Sequence, residues 1–188
     1  MGQDTAEGHQ LTGRPPGLAK PAQRGLTLIE LLVALAVMIL MATWGVPSFQ
    51  QFAARNEVTT DVQRVVRALS LARNTAIMTR NTISVCSSQG PIYTNCNFND
   101  WSLDWVIIEG EAAGGSLTGH PILKVLEPLN GVSVTFNRDD RPIRFSAIGW
   151  SQGYNGTFVL CGRNGESATA ILGNNGRVRT ESSSNDDC

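Results

Sequence analysis

The sequence predicts an α+β protein, one long N-terminal helix followed by a β-rich head, and three observations carry that reading. Residues 26–46 form an apolar run with a single charge, Glu30. Apolar residues then keep three- and four-residue spacing to about Arg80, which is the period of one helix face. Beyond Arg80 the chain breaks into short, β-favouring segments separated by glycine, proline and asparagine.

The apolar run sets the first half of the helix. Its 21 residues would span about 31 Å as a helix, enough to cross a bilayer. A carboxylate in such a helix costs about a few kcal/mol unless it reaches a partner, so Glu30 reads as functional. If the chain is cut after Gly25, the new α-amino group of Leu26 lies about one turn from Glu30. The same amine on a neighbouring copy could neutralise that acid. Ahead of the run, Arg14, Lys20 and Arg24 place residues 1–25 on the cytoplasmic side and send the remainder across the membrane. Residues 2–23 are Gly-, Pro- and polar-rich without periodicity, a composition expected to be disordered. An ordinary secretory signal has an apolar core of about 7–15 residues and a small-x-small cut site after it. The present core is longer and contains an acid.

In the second half of the helix, Phe49, Phe52, Val58, Val62, Val65, Val66, Leu69 and Ala76 mark the apolar face, and Arg55, Arg64, Arg67, Arg73 and Arg80 mark a solvated one. Candidate strands follow at 82–87, 103–109, 122–126, 132–137, 143–147, 157–161, 168–172 and 177–180. Val132, Val134 and Phe136 alternate, as in a sheet with one buried face. The length beyond the stem suits one globular head and is too short for two.

The formal net charge is −1, and the first 25 residues hold three basic and two acidic side chains, leaving −2 for residues 26–188. No global imbalance draws a polyanion, so nucleic-acid contact would be local. Cysteines stand at 86, 96, 161 and 188, all beyond the apolar run. An even number in a translocated head favours disulfides, with three pairings open. Cys86–Cys96 would close a local loop; Cys161–Cys188 would then pin the C-terminus, worth roughly 3–4 kcal/mol by chain entropy. No C-x-x-C pair or nearby histidine supports a metal site.

Catalysis finds little support. The two histidines are His9, in the leader, and His120, in a Gly-Ser-rich stretch that reads as an exposed loop. Phosphate-cradling glycine loops, nucleophile elbows and H-E-x-x-H helices do not occur. Asp139-Asp140 and Asp186-Asp187 sit in turn or tail contexts, and Asp100 with Asp104 leaves a calcium loop open, though not at EF-hand spacing. No cofactor is expected.

Gly25 followed by an apolar residue, Thr27-Leu28-Ile29-Glu30-Leu31 and a long apolar helix resembles the processing site and stem of type IV pilins and pseudopilins. Pro47 falls where those stems usually carry a proline, while Leu26 departs from the usual phenylalanine and the 25-residue leader is longer than most. The passages Trp101-Ser102-Leu103-Asp104-Trp105-Val106-Ile107-Ile108 and Ala68-Leu69-Ser70-Leu71-Ala72-Arg73-Asn74-Thr75-Ala76 resemble the FimT/GspH group of minor pilins and pseudopilins. The resemblance implies a pilin fold, no enzymatic activity and four parts: a cleaved leader over 1–25, a membrane-spanning stem over 26–46, a periplasmic stem over 47–80 and a β-rich head over 81–188. It implies an inner-membrane protein with a periplasmic head, which enters a pilus or pseudopilus after assembly. A prepilin peptidase would cut after Gly25 and methylate Leu26, and Glu30 would guide packing against other pilins.

Near the C-terminus, Asn175-Gly176 is a tight-turn signal between two strand candidates. On an extended strand Arg177 and Arg179 share one face, about 7 Å apart, with Val178 turned inward, an arrangement suited to phosphates. Gly176-Arg177-Val178-Arg179 also resembles the G-R-x-R element of FimT-type pilins, which is associated with capture of double-stranded DNA in natural transformation. The resemblance assigns Arg177 and Arg179 to DNA and Gly176 to the turn, with Arg163 and Asn174 as weaker candidates by sequence proximity. Edge-strand arginines also serve solubility, and Glu181, Asp186 and Asp187 oppose a polyanion. The competing expectation is a GspH-type pseudopilin of a type II secretion system without DNA binding.

Overall fold

A computed structural model describes residues 25–129, 131–138, 140–183 and 188. His9, the leader positives, Asp139, Asp186 and Asp187 lie outside the described residues. Helix α1 runs over Leu28–Thr79 and includes Pro47. Thr27 starts it: its hydroxyl accepts the backbone N–H of Glu30 at 3.3 Å, and its carbonyl accepts that of Leu31 at 3.2 Å. Thr27-x-x-Glu30 thus has the spacing of a capping box, and an acid in the first turn also suits the helix dipole. The chain divides into two compact units, Met1–Ala42 and Thr43–Cys188. In the first, the apolar side chains from Leu26 onward are exposed, and α1 is long and apolar enough to cross a membrane.

The second unit contains the head. After α1 come β1 (Ile83–Ser88), β2 (Asp104–Glu109), β3 (Ile122–Leu126), β4 (Ser133–Phe136), β5 (Ile143–Phe145), β6 (Gly156–Cys161), β7 (Ser167–Leu172) and β8 (Val178–Ser183). All eight expected strands are present, displaced by at most two or three residues at an end. They form two antiparallel four-stranded sheets, β3-β2-β1-β5 and β4-β6-β7-β8. The architecture is therefore α+β, a long helix followed by a β-rich head.

Alternation explains the second sheet: in β4 Val134 and Phe136 point inward, and in β6 Phe158 and Leu160 do so. Strand β1 differs, because every residue from Ile83 to Ser88 is buried between β2 and β5. Its serines are accommodated by hydrogen bonding: Ser84 donates to the Gly110 carbonyl at 2.6 Å, Ser88 to that of Asn95 at 2.7 Å and Ser87 to that of Asp100. Such pairing offsets the cost of burying a hydroxyl.

Helix α1 enters this core with Val58, Val62, Val65, Leu69, Ala72 and Ala76, the last three fully buried. Phe49 and Phe52 belong to the same sequence pattern but are about 70 % exposed. They precede Ala54, the first helix residue the head covers. The buried face also includes Asp61, paired with Arg64 at 3.2 Å. Burial pushes its carboxyl above the usual range, and the Arg64 hydrogen bond acts in the opposite direction.

Around the second sheet, Trp101 makes edge contacts with Trp105, Phe136 and Phe158 at 5.3, 5.5 and 5.3 Å. It lies in the turn before β2, which begins at Asp104 and not at Leu103. Two disulfides close the head, Cys86–Cys96 with Cα atoms 5.6 Å apart and Cys161–Cys188 with 5.8 Å.

Candidate functional site

The β7–β8 hairpin brings the two arginines together. Gly173 N–H donates to the Arg177 carbonyl and Gly176 N–H to the Gly173 carbonyl, both at 2.9 Å, leaving Asn174, Asn175 and Gly176 as the connection. Gly176 has φ +72, the left-handed conformation that closes three-residue hairpin loops. The Asn175 side chain caps the turn by accepting the Arg177 N–H at 3.1 Å. Strand register then fixes direction: Leu172 faces Val178 and Ile171 faces Arg179. Val178 packs against the core, whereas Arg177, just before the edge strand β8, and Arg179, on it, are exposed. They border a groove of about 520 Å³ that Asn155 and the turn also line.

The turn is held from behind by Arg73, read from the sequence as a solvated helix position, and by Gly149 and Ser151, which the sequence did not single out. Arg73 of α1 donates through Nε to the Gly149 carbonyl at 3.0 Å. A Cβ on Gly176 would run into that same carbonyl, so glycine is required for close approach as well as for its positive φ. Ser151 completes the brace: its N–H donates to the Asn174 carbonyl at 2.9 Å and its hydroxyl to that of Gly173 at 2.8 Å. The arginines therefore stand on a turn bonded to Ser151 and packed on Gly149, whose carbonyl Arg73 of α1 holds.

Charge around the hairpin is mixed. Arg179 Nε lies 3.3 Å from Glu181, with both side chains largely exposed. An exposed pair of this kind contributes about 0–1 kcal/mol, so a phosphate can displace it. Arg163 is not part of the cluster. It sits in the turn after β6, at the Cys161–Ser167 end of the strands, and pairs with Glu57 at 2.7 Å. That end is about 17 Å along β7 from the arginine hairpin. Asn174 contributes its carbonyl to the turn.

Several other sequence expectations change in three dimensions. Arg64 donates to the Glu127 and Pro128 carbonyls at 3.1 Å each, and Arg55 pairs with Glu166 at 3.3 Å, so the expected solvated arginine row partly anchors head loops. His120 is half-buried, with its ring 3.1 Å from the Glu109 carbonyl and packed over Gly110. It is a structural turn residue. Asp100 and Asp104 are engaged separately: one accepts the Ser102 N–H at 2.8 Å, the other the Tyr93 hydroxyl at 2.9 Å. No acidic or histidine cluster able to hold a metal occurs among the described residues. At the other end of the chain, Gly25, Leu26 and Glu30 are all exposed around the α1 cap.

An apolar N-terminal helix followed by a two-sheet head is the architecture of a pilin-like protein. The family model described as "Type II transport protein GspH" matches residues 61–176, and the chain belongs to this family of type IV pilin-like minor pilins and pseudopilins. The prokaryotic N-terminal methylation motif matches residues 20–45. A fimbrial protein of Pseudomonas aeruginosa is 40% identical over 57 residues, covering 30% of this chain and 36% of that protein. The type IV major fimbrial protein FimA of Dichelobacter nodosus is 27% identical over 150 residues, or 74% of this chain and 88% of that one. The fold is shared with the type IV minor pilin FimU of Pseudomonas aeruginosa strain PAO1, with TM-score 0.54 and 21% identity over 69% of this chain and 92% of that one. These relatives are pilins, not enzymes.

Proposed function

We propose that this chain is a FimT-like minor type IV pilin whose head binds double-stranded DNA through Arg177 and Arg179, for DNA uptake in natural transformation. The observation that carries this reading is the pair of exposed arginines at the start of an edge strand, presented by a turn anchored through Arg73, Gly149 and Ser151. Phosphate contacts of this kind tolerate any sequence and weaken steeply with salt. The alternative, a type II secretion pseudopilin without DNA binding, is favoured by the match to the GspH family of type II transport proteins.

Processing and assembly follow from the stem. In this reading a prepilin peptidase cuts between Gly25 and Leu26, the new amine is methylated, and Glu30 is neutralised between subunits of the fibre. The head lies in the periplasm, an oxidising compartment consistent with two disulfides. The Glu30→Ala chain is expected to stay in the membrane while its recovery in sheared fibres falls. Parental recovery would remove Glu30 from assembly.

The DNA reading is tested by mobility shift of the full chain in neutral-lipid nanodiscs at low and moderate salt. Hydrogen bonds to charged groups contribute about 1.5–3 kcal/mol, so Arg177→Gln/Arg179→Gln is expected to weaken duplex binding by at least about tenfold per arginine. Each lost arginine should also lower the salt slope by about one. A folded double variant that binds like the parent would exclude the hairpin; absence of binding by the parent at low salt would favour the secretion alternative.

A further inference from the structure

The turn that braces the arginine hairpin carries an aromatic side chain of its own. Ser146 N–H donates to the Trp150 carbonyl at 2.8 Å and Gly149 N–H to the Ser146 carbonyl at 2.7 Å, which folds residues 146–150 into a tight turn. Ile148 and Trp150 project from it, 68% and 50% exposed. Trp101 and Trp105, by contrast, are wholly buried in the core. Trp150 is therefore left half in water, so its apolar area contributes only part of the stabilisation that full burial would give.

Its position gives that exposure a use. Gly149 abuts Gly176, and Ser151 is bonded to both Gly173 and Asn174, so Trp150 is flanked on each side by residues joined directly to the arginine turn. On its other side Trp150 borders a groove of about 260 Å³ shared with Ile148, Gln152, Tyr154 and Arg144. Within it the Arg144 guanidinium lies 4.5 Å above the Tyr154 ring and is fixed by the Glu111 carboxylate at 3.2 Å and carbonyl at 2.6 Å. The groove acid is thereby paired, and one face of Tyr154 is already covered. Trp150 is the aromatic surface left open.

Aromatic faces beside a cationic track are how proteins hold single-stranded nucleic acid, since every base can stack on an indole. In duplex DNA the bases stack on one another and offer no free face to Trp150. We propose that Trp150 stacks on unpaired bases of a strand whose phosphates lie on Arg177 and Arg179, so that the head binds a frayed or single-stranded end better than closed duplex. This inference rests on the arginine hairpin being the DNA site.

The test measures binding of the full chain in neutral-lipid nanodiscs to a fluorescent oligo-dT strand and to a blunt duplex of equal length. Trp150→Ala is expected to weaken oligo-dT binding by about 5- to 100-fold, the range spanned by stacking of one base, and to change duplex binding by less than about twofold. Trp150→Phe should retain most of the oligo-dT affinity. In a Trp44→Phe background, oligo-dT should quench the emission of the exposed Trp150, leaving the buried Trp101 and Trp105 signal. Parental oligo-dT affinity in a folded Trp150→Ala chain would overturn the stacking role, while loss in Arg177→Gln/Arg179→Gln would still uphold the hairpin. Equal losses on strand and duplex would overturn the preference for unpaired bases. Unchanged DNA binding with reduced recovery in sheared fibres would assign Trp150 to a neighbouring subunit instead, and no DNA binding by the parent would overturn both readings.

Discussion

Trp101→Ala is expected to destabilise the head by about 3–5 kcal/mol, the usual cost of emptying a large buried aromatic site. The ring is fully buried at the centre of the aromatic cluster, in edge contact with Trp105, Phe136 and Phe158. Its Nε1 donates to the Phe98 carbonyl at 3.1 Å, so truncation also removes that acceptor's partner. Its backbone ties the β2 turn to the second sheet, with the N–H donating to the Val134 carbonyl at 3.1 Å. A domain of this size has about 5–15 kcal/mol of total stability, so the loss removes a large share of it. Urea unfolding followed by circular dichroism measures the change, and a shift below about 1 kcal/mol would mean the cluster repacks around the vacancy. Membrane insertion should persist, because it depends on residues 26–46.

Gly25→Trp is expected to leave the precursor uncut. Gly25 lies ahead of α1, and a Cβ built on it meets no atom of the described residues within 4 Å, so they leave room for a larger side chain. On the proposed reading any effect then arises in the peptidase, whose active site has to accommodate the residue on the leader side of the cut. The full-length chain should accumulate on gels, and mass spectrometry should find no methylated N-terminal Leu26. Normal cleavage would place the processing site elsewhere. Because the substitution touches no packed atom of the described residues, the uncut precursor is expected to carry a folded head.

The strands were legible because alternation encodes burial directly. Val134 and Phe136, or Phe158 and Leu160, occupy one face at a spacing of two, and each pair lies in the core. The arginine hairpin was legible for the same reason, joined to the turn chemistry of Asn175-Gly176. Periodicity was less informative where a side chain's partner comes from far along the chain. Arg64 and Arg73 read as solvated positions on a helix, yet they donate to carbonyls 64 and 76 residues away. Asp61, on the same helix, is buried although nothing in the spacing marks it. Phe49 and Phe52 read as core and are exposed, since the period marks a face without stating where its cover begins.

By itself the sequence determined the apolar stem with its single acid, the eight-strand order of the head and the G-R-x-R turn, all of which depend on composition and short-range spacing. Tertiary structure decided what those local features become. It placed Arg163 at the far end of its strands from Arg177 and Arg179, although only 14 residues separate Arg163 from Arg177. It set the Gly149 carbonyl against Gly176, which makes that glycine a packing requirement as well as a turn residue. It left Trp150 half in water beside the arginine turn while burying Trp101 and Trp105. The physical reason is common to all three: a residue's local conformation follows from its neighbours in sequence, whereas its burial and hydrogen-bond partners follow from the antiparallel register of strands and the packing of α1 across a long separation in the chain.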